Sequence, residues 1–292
     1  MEIFPNYYEK FNCIADKCKH SCCIGWEIDI DDDTMDFYNS LDTELGEKIR
    51  ANIEGDPPHF ALKERDRCPF LNGKGLCDII LSCGESALCE ICTLHPRFKN
   101  FYENYEEVGL GLCCEEAVRV ILDTDEKFEI EIPSLATDDE RDFLEIRGTV
   151  FDILQDRESS ILTRFEELAE MFSLKFNFSI SKLRDKYLSL ERLDEKWGEE
   201  LLKLKEFDKS VFDKYPIYFE QLAVYFVFRH FYEGDMRENV NFALMSCYVL
   251  GAMWSRCADK EKMFDLVRRY SSEVEYSEEN LDMIRGYLYE KR

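Results

Sequence analysis

The sequence has few positive charges for its length. Its 292 residues include 37 Lys and Arg against 62 Asp and Glu, a net charge of −25. Nucleic acids are bound by cations that displace phosphate counterions, and no run of Lys or Arg here forms a basic patch, so a nucleic-acid partner is not expected. Binding to an anionic membrane surface is disfavoured for the same reason. A partner with positive charge, such as a lysine side chain, suits the sign better.

Long apolar runs are also lacking. The first ten residues, MEIFPNYYEK, show neither the basic nor the apolar region of a secretory signal. The longest apolar runs, Leu222–Phe228 and Phe242–Trp254, have 7 and 13 residues, whereas a membrane span needs about 20. We therefore expect a cytoplasmic protein without a membrane partner. Hydrophobic residues make up 45% of the chain, enough for a packed core.

Cysteines are abundant and unevenly spread. Of 13 in total, eleven lie between Cys13 and Cys114, and the other two are Cys247 and Cys257. A disulfide framework is typical of small secreted domains, and this chain has neither a secretory signal nor the small size of such a domain. Independent buried thiols suit Cys247 and Cys257, which lie in apolar helical sequence. Metal ligation by thiolates explains the number and the clustering of the others.

The clustered cysteines form four short motifs along the chain. The motifs are Cys13-x4-Cys18-x3-Cys22-Cys23, Cys68 and Cys77 around CPFLNGKGLC, Cys89 and Cys92 in LCEICTLHPR, and Cys113-Cys114. Asn72–Gly75 predicts a turn that brings the Cys68 and Cys77 sulfurs to the same side. Thiolates from separated segments hold a small fold together, so metal binding is expected to contribute directly to its stability.

The four motifs together resemble the flagellin lysine-N-methylase family, and the broader group of zinc- or iron-chelating CxxCxxCC domains. The runs that carry the resemblance are FNCIADKCKHSCCIGWEIDI, CPFLNGKGLCDII, LCEICTLHPRF and GLCCEEAVRVIL. A weaker resemblance continues in FEQLAVYFVFRHFYE. The resemblance implies eight metal ligands: Cys13, Cys18, Cys22, Cys23, Cys68, Cys77, Cys92 and Cys114. Cys83 and Cys113 are then expected to be small buried side chains, and Cys89 is left undecided.

The same resemblance implies a function. The family is associated with a [4Fe–4S] cluster and with methyl transfer from S-adenosylmethionine to lysines of flagellin or a similar protein. Zinc is the alternative metal, and a zinc- or iron-chelating binding module without catalysis is the alternative function. Electron transfer is a third possibility, for which the sequence identifies no partner. Catalytic and donor-binding residues are not assigned. Gly109 and Gly111 lack the third glycine of a nucleotide-binding loop.

The predicted fold is α+β, with a Cys-rich mixed metal-binding domain at 1–132 and an all-α domain at 133–292. In the first domain we predict a strand at WEIDIDD, a helix that is capped by Asp33-Thr34 and runs through Arg50, and a loop at 52–66. We also predict a hairpin of Arg97–Tyr102 with Tyr105–Leu112, a helix at Glu115–Leu122 and a strand at Lys127–Ile132. In the second domain, Thr137 and Glu140 form a capping box, and Tyr215–Tyr232 and Asn239–Arg256 are predicted core helices.

A few residues invite a functional interpretation beside a structural one. Tyr218, Leu222, Tyr225 and Arg229 form one helical stripe, which indicates core packing. Alternatively, the tyrosines and a nearby carboxylate surround a lysine amine and favour its neutral form. In the Cys-rich part, His95 is either a hydrogen-bond donor to a cluster sulfur or structural. Arg97 is a candidate partner for a cluster sulfide or a carboxylate, and Trp26 is expected to shield a cluster from solvent.

Overall fold

The computed structural model describes residues 1–232 and 235–290. The chain divides into two compact units, residues 12–97 and residues 1–11 with 98–292. The helices are α1 Asp32–Ser40, α2 Glu44–Arg50, α3 Asp78–Cys83, α4 Glu90–Leu94, α5 Glu115–Leu122, α6 Asp138–Leu154, α7 Ile161–Met171, α8 Ile180–Leu188, α9 Glu195–Leu202, α10 Ser210–Lys214, α11 Pro216–His230, α12 Met236–Trp254, α13 Lys260–Tyr270 and α14 Glu278–Glu290. The strands are β1 Glu2–Ile3, β2 Ile53–Glu54, β3 His59–Phe60, β4 Arg97–Phe101 and β5 Glu106–Leu110.

These elements confirm the predicted α+β class, with a helical C-terminal part. The predicted boundary after residue 132 differs from the division by contacts, which falls at Asn12 and Phe98. The boundary after residue 132 stays a prediction about which segments fold independently.

The unit of residues 12–97 contains short helices around a small apolar cluster. Ile28, Tyr38, Ile49, Phe60 and Phe70 lie at the centre of this cluster, each at most 2% exposed. The side chain of Asp31 caps α1 by accepting a hydrogen bond from the Thr34 amide at 2.9 Å. Cysteines 23, 68, 77, 89 and 92 pack in or against the same cluster. The thiols are therefore part of this unit's core.

Two predictions for this unit are wrong in detail. The predicted helix through Arg50 is two helices, because Thr43 starts α2 by accepting a hydrogen bond from the Gly46 amide at 3.1 Å. WEIDIDD has the expected alternation, with Ile28 and Ile30 buried, but Asp29 forms only a single bridge with His59. The segment is therefore extended without a strand partner along its length.

In the other unit, the predicted hairpin and the first two helix predictions are confirmed. β5 lies between β1 and β4 in a three-stranded sheet, and β1 runs parallel to β5. Helix α5 has the predicted bounds, and Thr137 and Glu140 form the predicted capping box at α6. The predicted strand at Lys127–Ile132 is wrong. The Gln155 side chain takes both the amide and the carbonyl of Phe128, which leaves no ladder there.

Helices α11 and α12 form the centre of this unit, as predicted. All positions from Phe219 to Phe228 are buried, and α12 is buried over its C-terminal three turns. Aromatic rings fill the space between helices, for example Phe212 against Phe219 with centroids 4.5 Å apart. None of the helices in the described residues is long and apolar enough to cross a bilayer.

Candidate functional site

Seven of the eight predicted ligands lie in the unit of residues 12–97, and Cys114 lies in the other. The first close group surrounds Cys23. Its thiol is hydrogen-bonded to the Cys22 thiol and to Ser21, and Arg67 adds positive charge. These contacts, the Cys22 hydrogen bond above all, lower the pKa of Cys23 to about 6 although burial opposes this. Cys23 is therefore suited to be a thiolate, the form that binds metals.

Cys68 and Cys77 are held beside Cys23 by backbone hydrogen bonds. The Cys68 amide donates to the Cys23 carbonyl at 2.9 Å, and Leu71 forms a bridge with Cys77 around the predicted turn. Burial raises the pKa of Cys68 to about 11, against hydrogen bonds from the amides of Phe70 and Leu71. Cys77 precedes α3, and its raised pKa likewise reflects burial, with the opening amides of α3 donating to its sulfur.

Cys89 and Cys92 form the other close pair, at the start of α4. The Cys89 thiol contacts the Cys92 thiol and lies 3.6 Å from the Tyr38 hydroxyl. Their hydrogen bond lowers the pKa of Cys89 and raises that of Cys92, where burial acts in the same direction. The structure therefore places Cys89, which the sequence left undecided, as near to Cys92 as any predicted ligand. Its C-x2-C spacing was the available signal.

The other cysteines of the clustered motifs differ in their exposure. Cys13 is exposed and Cys18 is half-buried. The expectation that Cys83 is buried is wrong, because α3 buries only Ile79 and Cys83 is its last, exposed residue. Cys113 was also expected to be buried and is partly buried. Burial raises the pKa of its thiol to about 12.

Five cysteines pack in or against the apolar cluster, and we call them the thiol group: Cys23, Cys68, Cys77, Cys89 and Cys92. The donor chemistry of the thiol group fits an iron–sulfur cluster. Cluster sulfurs are tuned by backbone amides and by exclusion of water, and Cys68 and Cys77 receive such amides within an apolar cluster. A closed tetrahedral zinc site holds its sulfurs about 3.8 Å apart. Among the described residues, no three cysteine sulfurs lie within 4.8 Å of one another. The one set of three possible ligand atoms within that distance belongs to Glu27, Asp29 and His59.

Trp26 and His95, which follow Cys23 and Cys92 in the sequence, contact each other. The rings of Trp26 and His95 lie 5.9 Å apart. Burial lowers the pKa of His95 to about 4, with a smaller contribution from Arg97, so the imidazole is neutral at pH 7. Arg97 donates to the Thr93 carbonyl at 3.3 Å and so fixes the end of α4. The hydrogen-bonding role considered for His95 stays a prediction.

A second candidate site lies within the other unit, around Tyr225 on α11. Its hydroxyl lies 3.1 Å from the Glu275 carboxylate, and it accepts hydrogen bonds from Arg229 at 2.9 Å and from the Leu112 amide at 3.2 Å. The His230 ring nitrogen Nε2 lies 2.8 Å from the same carboxylate. We call Tyr225, Arg229, His230, Glu275 and Tyr276 the buried carboxylate cluster.

The chain approaches closely around this cluster. Glu275 ends a π-helical turn, Ser271–Glu275, a form that often occurs at functional sites. The Arg229 guanidinium lies 4.5 Å from the centre of the Tyr276 ring, and a Cβ at Gly111 would collide with the Tyr276 hydroxyl. Gly111 therefore packs against side chains, and this space is not available to a nucleotide phosphate.

The charges in the buried carboxylate cluster are balanced. Burial would raise the pKa of Glu275, but the charge of Arg229 and the hydrogen bond from His230 hold it below its usual value. Burial lowers the pKa of His230 more than Glu275 raises it, and burial also raises the pKa of Tyr225. The cluster therefore contains one carboxylate and one guanidinium, which lie 3.4 Å apart, with one neutral imidazole and two neutral phenols around them.

The family model of the FliB lysine N-methylase C-terminal domain matches residues 108–292. The chain belongs to this family. The family match includes the whole buried carboxylate cluster and Cys114, whereas the thiols from Cys13 to Cys92 lie before it. The resemblance expected from the cysteine motifs is thereby confirmed.

Curated relatives come from Salmonella. A lysine-N-methylase of Salmonella typhimurium strain LT2 is 29% identical over 126 residues, which cover 40% of this chain and 31% of that protein. The flagellar biosynthetic protein FliU of Salmonella muenchen is also 29% identical over 126 residues, 40% of this chain and 75% of FliU. The match thus spans about a third of the first relative's length. No solved structure matches this member of the FliB family.

The sequence predicted two of the five residues of the buried carboxylate cluster. The helical stripe indicated Tyr225 and Arg229, and its functional interpretation required a nearby carboxylate. Glu275 is that carboxylate, but it follows Tyr225 by 50 positions in an acidic, unremarkable stretch. His230 lies next to Arg229, and the sequence analysis did not predict a role for it. Its position at the end of an apolar helix is the sequence feature that could have indicated one. The other stripe residues, Tyr218 and Leu222, pack in the apolar core as their periodicity indicated.

Proposed function

We propose that this chain is an iron–sulfur protein-lysine N-methyltransferase that transfers a methyl group from S-adenosylmethionine to lysines of flagellin or a similar protein. The observation that carries the proposal is membership of the lysine N-methylase family over residues 108–292. The names of the relatives, lysine-N-methylase and flagellar biosynthetic protein, support the reaction and the substrate class.

The reaction requires a neutral amine. The lysine nitrogen attacks the methyl carbon, the bond from that carbon to the donor's sulfur breaks, and the new ammonium group releases one proton. A free lysine has a pKa of about 10.4, so a base that accepts its proton accelerates the reaction at pH 7. Glu275 is held as a carboxylate, and the Tyr225 hydroxyl contacts it at 3.1 Å. We assign proton acceptance to this pair.

The thiol group is proposed to hold the cluster. Cys23, Cys68, Cys77, Cys89 and Cys92 are the residues that pack together in the unit of residues 12–97. When bound, an iron–sulfur cluster would cross-link these segments and place a charged group beside them. The S-adenosylmethionine site is left unassigned, because Gly109 and Gly111 face side chains and not an open loop.

The test is methyl transfer by the whole chain, purified without oxygen. With S-adenosylmethionine and flagellin from the same source, mass spectrometry should find added methyl groups on surface lysines only with metal-replete protein. Tyr225→Phe should lower the methylation rate about 10²-fold, the lower range for general acid–base catalysis. Tyr187→Phe is the matched control, since it removes a buried hydroxyl whose hydrogen-bond partner among the described residues is Tyr270, at 2.8 Å.

The outcomes separate three interpretations. Methylation lost in Tyr225→Phe but kept in Tyr187→Phe supports the assigned base. Equal activity in both variants makes the buried carboxylate cluster structural and leaves the methylase proposal standing. If neither methylation nor donor binding occurs with intact metal, the alternative of a non-catalytic chelating module replaces the enzyme.

A further inference from the structure

A surface cleft outside both candidate sites has an unusual lining. Its volume is about 330 Å³, and it is lined by Phe101, Tyr102, Glu103, Asp139, Glu140, Phe143 and Tyr232. The residues come from the end of β4, the first turns of α6 and the residues after α11. Four aromatic rings and three carboxylates therefore meet in one concavity of the size of a small-ligand site.

The aromatic part of the cleft is rigid and open. The Tyr102 ring stacks on Tyr105 with centroids 4.5 Å apart and meets the Tyr232 ring edge-on at 5.9 Å. Its hydroxyl is fixed by Arg147, which lies 3.1 Å away and is itself paired with Glu107. Phe101 is 65% exposed, an unusual position for so large an apolar ring. An exposed aromatic ring beside rings that contact each other is a surface that attracts organic cations.

The charge of the cleft has one sign. Among the lining residues that the structure describes, Glu103, Asp139 and Glu140 are the charged ones. Glu140 receives hydrogen bonds from the amides of Glu103 and Thr137, both 2.8 Å long. These bonds hold its pKa below the usual value although burial opposes them. Asp139 and Glu103 are exposed and leave their carboxylates available to a ligand.

We propose that this cleft binds the ammonium head of a lysine side chain of the protein substrate, in its free or N-methylated form. Aromatic faces combined with carboxylates are the chemistry that recognises ammonium and methylammonium groups. The identification of the occupant as a lysine rests on the proposed function. The cleft then retains the tail of a substrate that presents several lysines, which favours repeated methylation of one protein molecule.

The test measures binding to the whole chain by ligand-observed NMR titration. The probes are Nα-acetyl-lysine amide, its trimethyl form and a neutral isostere in which a tert-butyl group replaces trimethylammonium. Both cationic probes should bind, and the neutral isostere at least tenfold more weakly. Phe101→Ala should weaken the cationic probes about tenfold, and Glu103→Gln severalfold. The matched controls, Leu193→Ala at a side chain also 65% exposed and Asp142→Asn at an exposed acid of α6, should bind as the unchanged chain does.

Two results would overturn the inference. Equal binding of the neutral isostere would make the cleft an apolar groove, and unchanged binding in Phe101→Ala would place the cation elsewhere. Methyl transfer is measured separately on the same preparations. Cation binding with neither methyl transfer nor S-adenosylmethionine binding refutes the proposed function and keeps the cleft as a cation site. Methyl transfer without cation binding refutes the cleft and keeps the proposed function.

Discussion

The two compact units differ in what holds their buried polar groups. In residues 12–97 the helices have five to nine residues, and the apolar cluster includes the buried thiols of Cys68 and Cys89. In the other unit, α6, α11 and α12 have 17, 15 and 19 residues, and the buried polar groups include ion pairs such as that of Glu107 with Arg147. A small core rarely stabilises a fold alone, so the first unit is expected to depend on its metal and the second on packing.

The largest expected effect follows from that dependence. Replacing Cys68 or Cys77 with Ser should abolish metal retention and unfold residues 12–97, because metal binding there is folding free energy. Limited proteolysis should then remove this unit, and metal analysis of anaerobically purified protein should find little iron or zinc. The resistant product should retain the helices from α6 onward.

Cys83→Ser and Cys247→Ser are the controls for this experiment. Cys83 is exposed at the end of α3, and Cys247 is buried in α12. Neither belongs to the thiol group, so neither change should lower the metal content. If Cys68→Ser keeps full metal and resists proteolysis, the difference between the two units is not one of metal dependence.

An ion pair provides the corresponding test of the other unit. The Glu107 carboxylate meets Arg147 twice, at 2.5 and 2.8 Å, and both side chains are at most 3% exposed. Glu107→Gln leaves the Arg147 charge buried without its partner, so we expect a loss of about 3–5 kcal/mol. The next residue gives the control. Glu106 pairs with Lys99 at the surface, and Glu106→Gln should cost under about 1 kcal/mol.

Denaturant unfolding monitored by far-UV circular dichroism measures both changes. The transition that belongs to the helical unit should move for Glu107→Gln, and the metal content should stay the same. Equal shifts for Glu106→Gln and Glu107→Gln would mean that burial of the pair contributes nothing, and that the second unit is stabilised by apolar packing alone.

Local signals predicted much of the fold. Helix α5, the β4–β5 hairpin and the Thr137 capping box follow from neighbouring residues, since caps, turns and alternation act over a few positions. The segment at Lys127–Ile132 failed because a distant side chain, Gln155, takes its backbone hydrogen bonds. Alternation in a sequence shows which face is buried, but not which group satisfies the backbone.

The candidate sites show the same limit. Cysteine spacing predicted a cluster of metal-binding thiols but left Cys89 undecided, and the structure places Cys89 in contact with Cys92. In contrast, nothing near Glu275 in the sequence indicates that it reaches Tyr225 and His230. The aromatic cleft was not predicted either, since Phe101, Phe143 and Tyr232 come from three separated segments. Sites assembled by tertiary contacts need the fold first.

The third prediction concerns pH and the unit of residues 12–97. Burial lowers the pKa of His95 to about 4, whereas an unfolded histidine has a pKa of about 6.5. The unfolded chain therefore binds a proton that the folded chain does not, so stability is present above pH 6.5 and is lost as the pH falls towards 4. The loss should be on the order of 1–3 kcal/mol.

Urea unfolding of the metal-replete protein between pH 7.5 and 5 measures this loss. His95→Asn should remove that part of the pH dependence, since its side chain does not titrate. His20→Asn, at an exposed histidine, should retain the pH dependence of the unchanged chain. The thiols contribute equally in all three proteins, so the difference between the variants isolates His95. A parallel decline in His95→Asn would show that this imidazole is accessible in the folded unit.

The smallest expected effect comes from removing one helix N-cap in each unit. Thr43 caps α2 and Ser160 caps α7, by accepting hydrogen bonds from the amides of Gly46 at 3.1 Å and Thr163 at 3.2 Å. Replacing either hydroxyl cap with Ala costs about 1 kcal/mol. With metal bound, we expect the unit containing each cap to lose that amount of unfolding free energy in denaturant unfolding.

After chelation, the two variants should differ. Thr43→Ala should make residues 12–97 more susceptible to proteolysis than in the unchanged chain, because little stability remains in that unit. Ser160→Ala should be as resistant to proteolysis as it was before chelation. An equal response of both variants to chelation would show that the two units unfold as one.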